Sequence, residues 1–215
     1  MVFNGKTQNP SLATEITNKA LEYTFCASLL SKPSRMVMEQ VRWERPQMGW
    51  YKLNTDGSSG LGGDRTGCGG IIRDEQGQWI TGFARRIGAA NSLTAKLWGL
   101  RDGLQLCYCR NFYSIEVEKD AKGILDAFLN PWYVNSIMSP ILDDCKTLIT
   151  RLRQIYFKHC YREANRCADK LARLGASQSL EFIVFQSLPM DILSFLEEDA
   201  NGLYLSRLCP VISGS

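Results

Sequence analysis

The chain has 215 residues, enough for one ordinary domain with flanking segments. Its 45% hydrophobic and 22% charged content excludes a disordered or fibrous protein. No apolar run reaches the ~20 residues of a membrane helix, and a net charge of +3 permits an acidic partner without arguing for one. Residues 1–46 read as a linker, in which Ser11–Leu30 can form an amphipathic helix with Leu12, Ile16, Ala20 and Tyr23 on one face. From Gly49 the pattern changes. Trp50–Asp56 alternates as a strand and runs into the turn cluster Gly57-Ser58-Ser59-Gly60. Thr66–Asp74 and Gln78–Ile87 make two further strands around the turn Asp74-Glu75-Gln76-Gly77, which completes an antiparallel meander.

Ser92–Arg110 then takes a helical period. Leu93, Leu97, Leu100, Leu104 and Cys107 recur at four-three-four-three spacing and form one buried stripe. Tyr113–Glu118 is a fourth strand, and Asp120–Leu129 is a short helix broken by Asn130-Pro131. Ser139-Pro140 opens a helix that runs to about Arg153. Ile155–Tyr161 is a fifth strand. Ala164–Ser177 is a helix with Ala168, Leu171, Ala172 and Leu174 turned inward. Strands that alternate with helices pair in parallel and are covered. The expected fold is therefore α/β: a mixed five-stranded sheet, three antiparallel strands then two parallel, flanked by helices. Its domain spans 47–178, and 179–215 follow as a mostly apolar tail expected to pack partly on the domain or on a neighbour.

The eight cysteines include no CxxC pair, and His159 is the only histidine, so the common zinc spacings are missing. Free thiols in a reducing compartment are the expectation. Met1–Pro10 is polar and lacks the apolar stretch of a secretory signal, so an intracellular location, nucleus or cytoplasm, is expected.

Three aspartates hold telling positions: Asp56 at the end of the first strand, Asp120 after the fourth, and Asp169 early in the last helix. In a sheet of this order such positions can converge. Clustered carboxylates repel unless a cation neutralises them. By spacing alone each is as readily a turn former or a helix cap.

The words around them carry more. Leu53-Asn54-Thr55-Asp56-Gly57-Ser58, Gly67-Cys68-Gly69-Gly70-Ile71-Ile72-Arg73-Asp74, Glu118-Lys119-Asp120 and Tyr161-Arg162-Glu163-Ala164-Asn165-Arg166-Cys167-Ala168-Asp169 occur in this order, after the lead-in Trp43…Pro46…Gly49-Trp50-Tyr51-Lys52-Leu53. The stretch from 43 to 178 resembles the plant ribonuclease H type 1 family of reverse-transcriptase-derived and domesticated retroelement proteins. The resemblance implies a ribonuclease H-like fold. It also implies hydrolysis of the RNA strand of an RNA–DNA hybrid by two Mg²⁺ ions, which clamp the attacking and leaving oxygens and are held by an Asp-Glu-Asp-Asp set. By motif the acids fall on Asp56, Asp120 and Asp169. The word that should carry the glutamate reads Ala95-Lys96-Leu97-Trp98-Gly99-Leu100, which puts Lys96 in its place.

An ammonium cannot coordinate Mg²⁺, so one ion or none is expected here and hydrolysis is expected to be impaired. Lys96 is expected to pair with Asp56 or Asp120 instead. The resemblance also places Asp56-Gly57-Ser58-Ser59-Gly60 and Ser92 against the RNA strand, where amides and hydroxyls, those of Gly57, Ser58 and Ser92 among them, can read 2′-hydroxyls. Arg85, Arg86, Lys122 and Arg166 are candidate phosphate contacts or ordinary surface charges. Three readings stay open: a hybrid-specific endonuclease with an unusual site, a catalytically dead hybrid binder, and a protein-interaction module that uses 1–46 or 179–215. The expected partner is an RNA–DNA hybrid, without a membrane, and the expected state is a monomer.

Overall fold

A computed structural model describes residues 36–59, 65–119 and 138–210. The expected helices at Ser11–Leu30 and Asp120–Leu129, together with Asp120 and Lys122, lie outside the described residues. The chain divides into two compact units, one of Met1–Glu39 with Ser206–Ser215 and one of Gln40–Leu205. Met36–Val41 (β1) and Leu205–Pro210 (β8) pair as a two-stranded sheet of their own.

In the larger unit, Tyr51–Ser59 (β2), Thr66–Arg73 (β3) and Trp79–Gly88 (β4) form the meander. The turn between β3 and β4 is set by Asp74, whose carboxylate accepts from the amides of Gln76 and Gln78 at 3.0 and 2.8 Å. Ser114–Lys119 (β5) lies parallel to β2 with Leu53 beside Val117, and Gln154–His159 (β6) lies parallel to β5. The sheet has six strands, not the five expected. Phe182–Phe185 (β7) pairs antiparallel with β4, Val184 opposite Phe83, and the order is β6-β5-β2-β3-β4-β7. The extra strand comes from the segment expected to be a tail. Its apolar run is satisfied by the open edge of β4, a pairing that period-2 alternation within the segment cannot announce.

Ser92–Cys109 forms α1. The side chain of Asn91 accepts from the amide of Thr94 at 2.7 Å and caps its start. Asn111, at φ +58°, ends it in a left-handed turn, with the amide of Phe112 bonded to the carbonyl of Cys107 and that of Asn111 to Tyr108. Of the expected stripe, Leu97, Leu100, Leu104 and Cys107 are fully buried, while Leu93, in the first turn, is half-buried. The stripe meets Leu53, Phe83, Val117 and the buried face of Ser139–Arg151 (α2), namely Ile141, Leu142, Cys145 and Leu148.

The opposite face of the sheet is covered by Arg166–Ser177 (α3) and by the segment that follows it. Ile71, Cys167, Leu171 and Ile192 make a second core, joined by Phe185, Phe195 and Leu196. Burial pushes the Cys167 thiol up to about 12. Gly67 and Gly69 let α3 lie directly on β3: a Cβ at Gly69 would stand 2.5 Å from the carbonyl carbon of Leu171.

A charged cluster lies beneath Leu193–Ala200 (α4) and the strand lead-in. Arg73, 1% exposed, bonds Asp199 and Asn54, each at 2.8 Å, and stacks 3.6 Å from the ring of Trp43. Lys52 is fully buried between Glu116 at 2.7 Å and Glu118 at 2.6 Å. Trp43, from the residues expected to be linker, and Asp199, from those expected to be tail, are thus built into the same interior.

Candidate functional site

β2 ends at the cleft. Asp56 is buried at 3% exposure. Its carboxylate accepts from the amide of Gly57 at 2.8 Å and meets the ammonium of Lys96 at 3.1 Å. Gly57 makes this approach possible. A Cβ there would stand 2.4 Å from the backbone nitrogen of Lys96, so only glycine lets α1 come close enough to hand its side chain to Asp56.

Asp169 is brought in from α3. The buried Asn165 donates to the carbonyl of Thr55 at 3.2 Å, which pins the start of α3 to β2 one residue before Asp56. The amide of Asp169 then bonds the carbonyl of Asn165 at 3.0 Å. Its carboxylate meets Arg173 at 2.8 Å, one helical turn on, and Arg162 at 3.6 Å.

These groups line a cleft of about 430 Å³ with Gly57, Ser58, Ser59 and Ser92. The fold therefore gathers Asp56, Asp169, Lys96, Gly57, Ser58 and Ser92 at one place, while Asp120 lies outside the described residues. Arg166 is not in the lining: it faces α4, bonded to Glu198 and paired with Asp199 at 3.3 Å. Burial works against its charge, but these two carboxylates hold its pKa above the ordinary value. Arg85 is likewise taken up by Asp102 and Glu181. Ser59, in the turn cluster expected to meet the RNA strand, is in the lining too, whereas Arg162 and Arg173 had not been anticipated. Arg173 was within reach of the sequence, four residues past Asp169 on a helix. Arg162 was not, because its approach depends on the 3₁₀ turn Arg162–Ala164.

Among the described residues, the donor set does not fit a two-ion centre. Such a centre needs carboxylate oxygens free to share two divalent cations. Here Asp56 carries an ammonium, Asp169 carries two guanidinium groups, and three cations face two carboxylates among the described lining residues.

A mixed sheet in this order, with helices on both faces and its polar cleft at the end of the central strand, defines the ribonuclease H-like class. A model of the reverse transcriptase-like family matches residues 54–175, more than half of the chain, and the chain belongs to that family. The Arabidopsis thaliana protein named "Putative ribonuclease H protein At1g65750" is 35% identical over 167 residues, 77% of this chain but 27% of that protein's length. Among solved structures, the N-terminal RNase H domain of rv2228c from Mycobacterium tuberculosis aligns at TM-score 0.55 and 21% identity, covering 59% of this chain and 93% of that one. RNase H1 from Halobacterium salinarum aligns at 0.55 and 20%, covering 59% and 96%. LC11-RNase H1, in complex with an RNA/DNA hybrid, aligns at 0.53 and 20%, with the same shares. At these identities the structural likeness establishes the fold.

Proposed function

We propose that this chain is a nucleic-acid-binding module of the ribonuclease H-like class. It seats an RNA–DNA hybrid across the cleft at the end of β2 and has lost metal-supported hydrolysis at Lys96. The observation that carries the reading is the ion pair of Lys96 with Asp56 at 3.1 Å, formed where the family motif has two carboxylates side by side. Lys96 neutralises Asp56 from within the chain, so the cleft needs no divalent cation to accept a polyanion. The ammonium also repels one.

The surplus of cations among the described lining residues, from Lys96, Arg162 and Arg173, favours backbone phosphates. Ser58, Ser59 and Ser92 offer hydroxyls suited to the 2′-hydroxyls of a shallow minor groove, which favours recognition of hybrid shape over sequence. The hybrid bound by LC11-RNase H1 supports the choice of duplex.

The test uses the purified chain, a labelled RNA–DNA hybrid and Mg²⁺. Wild type should bind the hybrid with affinity that falls as salt rises and should leave the RNA strand intact, whereas Lys96→Glu should gain Mg²⁺-dependent cleavage. Robust cleavage by wild type that disappears in Asp56→Asn would overturn the proposal.

A further inference from the structure

Arg65, Arg86, Gly88, Ser177, Gln178 and Ser179 line a second pocket, of about 420 Å³. The surrounding arginines are committed: Arg73 to Asp199, Arg85 to Asp102 and Glu181, and Arg166 to Glu198 and Asp199. Arg65 and Arg86 are both exposed, and among the described residues neither has a carboxylate partner. Two guanidinium-bearing residues line this hollow with no acid among its described lining residues, and like charges held on one hollow repel each other, which an anion relieves.

The C-terminal turn of α3 supplies the other wall, and glycines fix it there. A Cβ at Gly67 would stand 2.2 Å from the nitrogen of Ala176, and one at Gly175 would stand 2.5 Å from the carbonyl oxygen of Arg85. The carbonyl of Leu174 accepts from the amide of Gln178 at 2.9 Å and the hydroxyl of Ser177 at 3.1 Å. The side-chain amide of Gln178 bonds the carbonyls of Ala84 and Leu180, which holds the 177–180 turn rigid.

The pocket is also in register with the cleft. Ser58, which lines the cleft, pairs with Gly67, and Gly67 pairs with Arg86. The three therefore form one cross-strand row on one face of the sheet. Two strand spacings put Ser58 and Arg86 about 10 Å apart.

We infer that the Arg65–Arg86 pocket is a phosphate site, filled by a backbone phosphate of the same duplex that occupies the cleft. The source of the phosphate rests on the hybrid-binding reading, whereas the anion chemistry of the pocket does not.

Two measurements on the full chain, wild type and the surface double variant Arg65→Gln/Arg86→Gln, decide it, with thermal unfolding confirming that the variant is folded. In the first, inorganic phosphate is titrated while backbone amide resonances are followed. Wild type should show saturable shifts at Gly88 and Ser177–Ser179, separate from any at the cleft, and the variant should lose those at Gly88 and Ser177–Ser179. In the second, hybrid affinity is measured across salt concentrations. The variant should bind about tenfold more weakly and lose about one unit of salt slope. Absence of phosphate shifts at Gly88 and Ser177–Ser179 in wild type overturns the site. Phosphate shifts with unchanged hybrid affinity and slope overturn the backbone assignment and leave a free-phosphate pocket. A wild type that takes phosphate here but binds no hybrid refutes the hybrid-binding reading and the backbone assignment together, while the titration still fixes the pocket's chemistry.

Discussion

A carboxylate that faces an ammonium and one that faces another carboxylate ask opposite things of their surroundings. Lys96 in a position framed by Ala95 and Leu97-Trp98-Gly99-Leu100 makes that exchange at Asp56. The residue at 96 was legible because the flanking words fix the register. The partner was legible only as a choice between Asp56 and Asp120, because side-chain reach is not a property of sequence. Arg73 shows the other limit. It sits in a strand word that reads as ordinary, yet it is buried against Asp199, 126 residues away. Removing that acid leaves the Arg73 charge without its anion in the interior. Asp199→Ala should therefore cost about 3–5 kcal/mol of unfolding free energy, measured by denaturant titration. A loss under about 1 kcal/mol, the level of an exposed pair, would show that water or Trp43 replaces the contact.

Among the elements, those with a strong internal period were legible. The α1 stripe and the meander with its Asp74 turn followed from spacing and turn chemistry, and so did the alternation of late strands with helices. β7 was not, because an edge strand is specified by the neighbour that needs covering, here β4. By sequence alone the glycines of β3 suit close strand packing or a bulge, and the β3–β4 register does shift between Thr66 and Gly67. The structure gives the neighbour as a helix: α3 rests on Gly67 and Gly69. Gly69→Ala must push Leu171 and its backbone outward, and overpacking of this kind costs about 1–3 kcal/mol. Its melting temperature should fall. An unchanged melting temperature would mean that α3 can slide along the sheet without penalty.

Over the whole molecule, burial and charge tell one story. The chain before β2 and after α3 contributes Trp43, β7, Ile192 and Asp199 to the unit Gln40–Leu205, so more of the sequence serves the fold than the motif-bearing stretch 54–175. The fold then concentrates cations at one end of the sheet: Lys96, Arg162 and Arg173 in the cleft, and Arg65 with Arg86 in the second pocket. A net charge of +3 spread over the chain hides this clustering, which only the strand register brings together. The central claim is that Lys96 has taken over charge neutralisation from a divalent ion. The direct measurement is the affinity of the full chain for an RNA–DNA hybrid in EDTA and in Mg²⁺ at matched ionic strength. Equal affinity in the two conditions for wild type, with Mg²⁺-dependent tightening in Lys96→Glu, is the predicted result. Tightening of wild type by Mg²⁺ to the same degree as Lys96→Glu would contradict it.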